Sequence, residues 1–173
     1  MDFNLNKSIE ILERTPAVLE QLLSGLSDSW LHTNEGPDTW SPFDVLGHLI
    51  HGEKTDWIPR MEIILSSNLD KHFEPFDRFA QMNSQKQRSL AELLLEFRTL
   101  REENIKVLKS KKLQESDLQR TGIHPAFVEV TLKQLLATWT VHHLNHLTQI
   151  SRVMAGQYHA AVGPWQAYLK ILQ

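Results

Sequence analysis

Three histidines lie within residues 142–146 (HHLNH), near the end of the chain. If this stretch is helical, His142 and His146 are four residues apart and share one face, one turn from each other. That face is the apolar one, because it also carries Leu135 and Trp139. Two imidazoles directed into a protein interior need partners, and a divalent metal ion bound by both would be one such partner.

Two histidines from one helix make an incomplete site, because catalytic zinc-type sites usually have three protein ligands and one open position. His143 lies close to the same face and competes as a ligand. A ligand from another helix could be His48 or His51; His48 lies at the edge of an apolar stripe, whereas His51 points further towards solvent. The pair at 142 and 146 could equally be a surface pair, or two hydrogen-bonded core residues without metal.

Glu53 is the nearest carboxylate downstream of His48 on the same predicted helix. It could orient a ligand or act as a catalytic base. A partly solvated carboxylate paired with a neighbour is an equally good interpretation. A cation held by three neutral imidazoles would help a water or thiol to lose its proton. The predicted chemistry is therefore nucleophilic attack near neutral pH on a small-molecule substrate.

Composition excludes several other classes of protein. The chain has no cysteine, so thiolate ligands, disulfides and cysteine nucleophiles are ruled out. Its 18 basic and 21 acidic residues give no cationic excess for nucleic acid, and the lysines at 106–112 suit the end of a helix. Apolar runs are too short for a membrane span, and the first residues lack a signal-peptide pattern, so a cytoplasmic protein is expected.

Periodicity predicts four long helices and a short last one within one domain, residues 1–173. Helix starts are marked by Ser41 with Pro42 and Asp44, and by Thr131 with Gln134. No β-hairpin is predicted, and the fold class is an all-α four-helix bundle whose two long loops allow crossover connections. The predicted helices span residues 5–26, 41–66 with a bend at Pro59, 84–111, 131–155 and 164–172.

The remaining aromatic residues and histidines receive simpler interpretations. The loop at residues 68–83 carries three phenylalanines, so it is expected to pack over something and could form a lid. Four tryptophans are expected mainly in the core, with a pocket near the site as the alternative. Four histidines in or near loops are expected at the surface. These residues are Phe73, Phe76 and Phe79; Trp40, Trp57, Trp139 and Trp165; and His32, His72, His124 and His159.

Three segments, in order, resemble the motifs of a known family. They are residues 40–49 (WSPFDVLGHL) followed by Glu53, His124-Pro125 with residues 130–139 (VTLKQLLATW), and residues 142–150 (HHLNHLTQI). Together they make residues 5–155 resemble the DinB-like superfamily of metal-binding four-helix bundles. Each motif alone is loose, and it is their order and separation that make the resemblance specific.

The resemblance implies a ligand set and a range of activities. Such proteins hold a divalent ion, commonly zinc or nickel, with one histidine of the second helix and two of the last long helix. On the matching positions the ligands are His48, His142 and His146, and His143 is not assigned as one.

Relatives of this kind include transferases and isomerases that use low-molecular-weight thiols, metal-dependent hydrolases, and members with no known reaction. They often form dimers, so a homodimer is expected. A metal-binding protein without catalysis and a helical interaction module without metal are the alternatives to an enzyme.

Overall fold

Most of the chain is helical. The computed structural model describes residues 2–84 and 87–173, and it confirms the predicted all-α four-helix bundle. The bundle consists of α1, the α3–α4 pair, α6 and α8, with short helices in the connections. In chain order the helices are α1 (Leu5–Leu23), α2 (Asp28–His32), α3 (Pro42–Thr55), α4 (Trp57–Leu65), α5 (Gln81–Ser84), α6 (Leu90–Ser110), α7 (Glu115–Leu118) and α8 (Leu132–Gly156).

The order of the helices around the bundle differs from their order in the chain. Helix α1 packs against α6 and α8, and α3 packs against the same two helices. Therefore α1 and α3 occupy opposite corners, and so do α6 and α8. The connections from α1 to α3 and from α6 to α8 cross the bundle diagonally, as the two long loops allowed.

Reciprocal side-chain caps set where three of the long helices begin. Ser41 Oγ accepts from the Asp44 N–H while the Asp44 carboxylate accepts from the Ser41 N–H, and Thr131 forms the same reciprocal cap with Gln134. Both predicted starts are confirmed. The third helix begins at Leu90, later than the predicted residue 84, because Ser89 forms a capping box with Glu92. Part of that predicted start, residues 85 and 86, lies outside the described residues.

The predicted second helix, residues 41–66, is two helices separated at Asp56. Pro59 has no backbone N–H, so it cannot donate to the Thr55 carbonyl one turn earlier. The interruption that follows places Asp56 between two helices, where its side chain is buried. The first helix also ends earlier than predicted, at Leu23, and Gly25 follows it with a φ of 78° that glycine adopts without strain.

The prediction of no hairpin was wrong. Strands β1 (Thr121–His124) and β2 (Val128–Thr131) pair antiparallel, with Thr121 opposite Thr131. Phe73 donates its N–H to the Ile123 carbonyl at 2.9 Å, which ties the loop after α4 to this hairpin. Each strand has only four residues, and the turn has no Asn-Gly type signal, so periodicity could not reveal it.

The buried apolar side chains form two clusters along the bundle axis. One surrounds Leu12, Met61 and Trp139, and the other surrounds Leu19, Leu46 and Phe97. The predicted last helix consists of two 3-10 segments, Gly163–Tyr168 and Lys170–Leu172, and the second packs against α8. Within residues 2–84 and 87–173, no helix combines the length and apolar character that crossing a membrane requires.

Gly122→Ala should weaken the junction between the hairpin and the loop. A Cβ at this position would lie 2.5 Å from the Phe73 ring and 3.0 Å from Ile64, so the buried ring would have to move. We expect the free energy of unfolding to fall by about 1–3 kcal/mol in urea denaturation. Gly156→Ala is the matched control, because a Cβ there meets nothing within 4 Å; its stability should be unchanged or raised by up to about 1 kcal/mol. Equal stabilities for the two variants would contradict this packing.

Candidate metal centre

Three imidazoles from two helices meet at one point. His48 projects from α3, and His142 and His146 project from adjacent turns of α8. The Nε2 atom of His142 lies 3.2 Å from Nε2 of His48 and 3.1 Å from Nε2 of His146. Two imidazole nitrogens that bind one zinc-like ion at about 2.0–2.1 Å lie roughly 2.9–3.4 Å apart. The three residues predicted as ligands are therefore brought together at separations that suit a shared cation.

Hydrogen bonds between the rings cannot satisfy this cluster. His146 Nδ1–H donates to Gln149 Oε1 at 2.7 Å, which leaves the His146 Nε2 lone pair directed at its neighbours. His142 Nε2 faces two other ring nitrogens but can carry only one proton. Within the described residues, Nδ1 of His48 and of His142 is buried without a partner. A cation bound by all three Nε2 atoms would satisfy the lone pairs that point towards one another. These three residues therefore fit a divalent metal ion.

Burial keeps these imidazoles in the form that binds metal. Desolvation, followed by the mutual repulsion of neighbouring charged groups, lowers the pKa of His48 and of His142 to about 3, and desolvation also lowers the pKa of His146. The rings are held by packing: Trp40 lies 4.7 Å from His48 and Trp57 lies 5.2 Å from His142, between ring centroids. The neutral ligands are thus preorganised at neutral pH.

Two histidines that competed with these ligands have other contacts. His143 is fully buried, donates from Nδ1 to the Trp139 carbonyl at 2.8 Å, and accepts at Nε2 from Arg101 at 2.6 Å. Both ring nitrogens are used, so no lone pair is left for a metal. His51 is half-buried against the Phe76 ring and does not belong to the cluster. The choice of His48 over His51 agrees with this geometry.

Glu53 lies in the core of the bundle, where it is 2% exposed. Oε1 accepts from Arg101 at 2.7 Å and from the Trp139 indole at 2.9 Å; Oε2 accepts from Arg101 at 3.1 Å and from Asn104 at 3.0 Å. The carboxylate is therefore fully bonded, and it is not among the residues that line the cavity beside the histidines. The interpretation of Glu53 as a partly solvated carboxylate does not hold. Its predicted role as a catalytic base stays a prediction.

A cavity of about 410 Å³ opens beside the three histidines, all of which line it. The predicted loop at residues 68–83 and the hairpin close one side, so the phenylalanine-bearing loop does pack over the site. Trp40 and Trp57 are buried in the cavity wall, Trp139 is in the core and Trp165 is exposed. Apolar and aromatic parts of the wall come from Trp40, Trp57, Phe73, Phe76, Phe127, Val130 and Leu135.

Sequence reasoning missed the charged residues of this cavity, which are Asp56, Arg60 and Arg78. Asp56 Oδ1 lies 2.6 Å from Arg60 Nε, in an ion pair whose N–H is not directed at the oxygen. Desolvation raises the pKa of Asp56 to about 6, against the opposing effect of Arg60. No motif marks these residues, because their proximity depends on the break between α3 and α4 and on the path of the loop.

One histidine expected at the surface also lines the cavity. His124 is half-buried, and its Nδ1 accepts from the N–H groups of Ala126 and Phe127, which shapes the hairpin turn. His32, His72 and His159 are exposed, as predicted. The hairpin, absent from the prediction, explains the difference for His124.

Comparison with known proteins agrees with this arrangement. The family model of the DinB superfamily matches residues 11–150, which contain the three histidines. The chain belongs to the DinB superfamily.

Relatives of this DinB-superfamily chain include YfiT of Bacillus subtilis (strain 168). YfiT is 26% identical over 155 residues, which cover 86% of this chain and 85% of YfiT. A solved structure of YfiT is described as a probable metal-dependent hydrolase with an unusual four-helix bundle topology. It matches with a TM-score of 0.74 and 21% identity, over 88% of this chain and 87% of that one. This likeness shows the shared fold.

Metal binding should depend on the three-histidine cluster. Protein purified without an affinity tag should take up one zinc or nickel ion per chain, measured by elemental analysis, and should melt at a higher temperature. At a free metal concentration of about 100 times the dissociation constant, the gain in folding free energy is about 2.7 kcal/mol. His142→Ala should abolish both effects, because it removes the nitrogen that lies between the other two.

The matched control for metal binding is His51→Ala, on α3 one turn from His48 but outside the cluster. It should keep the stoichiometry and the shift in melting temperature. A wild-type protein without stoichiometric uptake, or an His142→Ala variant that binds like wild type, contradicts the assignment.

The free energy of unfolding should depend on pH through the buried Asp56 carboxyl group. Because its folded pKa of about 6 exceeds the ordinary 3.8, the folded chain binds more protons in that interval, and its contribution to stability falls as pH rises. Asp56→Asn cannot ionise. The free energy of unfolding of metal-free Asp56→Asn, relative to metal-free wild type, should therefore increase by up to about 3 kcal/mol as the pH rises from about 4 to 7. Urea denaturation measures this difference. Asp77→Asn, at an exposed position, is the control and should show no such increase. If the stability difference between Asp56→Asn and wild type does not change with pH, the raised pKa of Asp56 is contradicted.

Proposed function

We propose that this protein is a metal-dependent hydrolase that acts on a small-molecule ester or amide. The observation that carries the proposal is the convergence of His48, His142 and His146 at the wall of a cavity of about 410 Å³. This volume lies in the usual range for small-molecule sites. A divalent ion held there would supply Lewis acidity, which favours the deprotonated form of a water or thiol and polarises a carbonyl oxygen.

The chain's own residues would bind, orient and shield the reactants. His48, His142 and His146 each offer a neutral nitrogen, so the ligand set would leave the charge of the cation uncompensated. Trp40, Trp57 and neighbouring apolar side chains exclude water, which strengthens electrostatic interactions within the cavity. Overall, water adds to the acyl carbon, the bond to the leaving group breaks, and that group takes up a proton.

Among the described residues, Asp56 is the carboxylate that lines the cavity, and we assign proton transfer to it as an alternative to the predicted role of Glu53. A pKa of about 6 suits a group that exchanges protons near neutral pH. Glu53, whose oxygens are held by Arg101, Trp139 and Asn104, would act as a positioning residue. It fixes α3 against α6 and α8, and thereby His48 against His142.

Transfer of a low-molecular-weight thiol is the second candidate function. It is supported by the neutral ligand set. Because the three described residues of the cluster are all histidines, the full charge of a divalent cation would remain to stabilise a thiolate. A metal-binding protein without catalysis is the remaining alternative. The homodimer and the cytoplasmic location stay predictions, as does the choice between zinc and nickel.

Metal-loaded protein should hydrolyse members of a panel of nitrophenyl esters and anilides. Loss of one ligand should reduce kcat/KM by at least about 100-fold, which is the upper end of the effect of disturbing groups around a metal. We therefore expect His146→Ala to be nearly inactive and His51→Ala to be close to wild type. A parallel assay with small thiols and an aromatic electrophile tests thiol transfer.

The pattern of the two assays distinguishes the candidates. Hydrolysis that requires metal and His146 supports the first proposal, and thiol conjugation with the same dependence supports the second. Stoichiometric metal without turnover in either assay contradicts both and favours the non-catalytic alternative.

A further inference from the structure

Arg78 lies at the mouth of the cavity with its guanidinium available to a ligand. The side chain is exposed and lines the cavity, and its guanidinium carbon lies 5.4 Å from the Trp40 ring centroid and 5.2 Å from that of Phe79. Among the part of the chain that the structure describes, Arg78 makes no ion pair and donates no hydrogen bond. A planar group with five N–H donors, oriented by two aromatic rings, is suited to bidentate binding of a carboxylate or phosphate.

The other arginine of the cavity is already occupied. Arg60 is buried, pairs with Asp56, donates to the Glu74 carbonyl at 3.3 Å, and lies over the Phe73 ring. Its charge is thus balanced locally. Among the described residues of the cavity wall, Arg78 carries the unbalanced charge.

Arg78 is within reach of a molecule that also contacts the histidines. Trp40 connects the two places, because its ring centroid lies 5.4 Å from the Arg78 guanidinium and 4.7 Å from the His48 ring. Taken end to end, these distances place the guanidinium no further than about 10 Å from the imidazole. A small organic molecule spans this interval while its body packs against the aromatic wall.

We propose that the substrate is an amphipathic organic anion, whose carboxylate or phosphate binds Arg78 while its apolar body contacts Trp40 and Phe76 and its reactive group faces the three histidines. The placement of the reactive group rests on the proposed function; the anion subsite does not. Arg78 is thus a specificity-determining residue, because it selects charge at a distance from the reacting atoms.

Equilibrium binding of matched probes tests the subsite without catalysis. The probes are 4-phenylbutyrate, its neutral analogue 4-phenylbutanamide, and phenyl phosphate. Each is titrated into the metal-free and the metal-loaded 173-residue protein by ligand-observed NMR. In metal-free protein we expect the carboxylate or the phosphate to bind about 10-fold more tightly than the amide, as hydrogen bonds to a charged group allow. The two anions show which group the subsite prefers.

Variants assign the preference to Arg78. Arg78→Gln should reduce it to less than about 2-fold while amide binding stays unchanged, and Arg78→Lys should retain part of it, because the charge remains but the planar fork is lost. Arg14→Gln removes the same charge from the exposed side of α1, away from the cavity, and should change nothing.

The inference is overturned if Arg78→Gln keeps the full preference for anions, or if it weakens the amide and the anions equally. The second result would mean that Arg78 only packs on Trp40. Either result can be obtained whether or not the protein binds metal or turns over a substrate, so failure of this subsite and failure of the proposed hydrolase are separate observations.

Discussion

The buried ion pair between Arg101 and Glu53 connects all four corners of the bundle. Arg101 on α6 binds both carboxylate oxygens of Glu53 on α3, donates to the Leu12 carbonyl of α1, and donates to His143 of α8. On α3, α6 and α8 the polar residues Glu53, Arg101 and His143 lie between the members of the two apolar clusters. Removal of one partner from such a pair costs about 3–5 kcal/mol, because it leaves a buried charge without compensation. The pair therefore restricts how the helices can slide, and their register determines whether the metal ligands meet.

His142 and His143 are neighbours on α8 but have different roles, because their side chains face different parts of the structure. His142 and His143 are consecutive, so a helix turns their side chains about 100° apart. One faces the cavity and the other faces Arg101, where it accepts a hydrogen bond and fixes the α8 carbonyl of Trp139 through its other nitrogen. Desolvation lowers the pKa of both rings, so both stay neutral. The core histidine stabilises the backbone that carries the cavity histidine.

The cavity combines a rigid floor with walls from irregular segments. The floor is the three-histidine cluster, on two helices that are held together by the contacts of Arg101 with Glu53 and His143. The walls come from the loop after α4 and from the hairpin, which are joined through Phe73 and Ile123. Function in many proteins is divided in this way, with positioning by the scaffold and selectivity by loops. Arg78 and Phe76 belong to the loop. The residues that would determine substrate specificity therefore lie outside the helices that define the fold.

The sequence by itself determined the four long helical segments without their exact ends, two of their caps and the histidines that lie on apolar faces, because helical periodicity and capping depend on residues three or four apart. It also led to His48, through the edge of an apolar stripe and a resemblance that the family match supports. Only the tertiary structure decided that Glu53 is buried against Arg101, that Asp56 and Arg78 share a cavity with the histidines, and that a hairpin brings His124 there. The contacts of Glu53 and the shared cavity depend on residues far apart in the chain, and such contacts leave no periodic signal in the sequence. The hairpin is local, but its four-residue strands are too short to show a period.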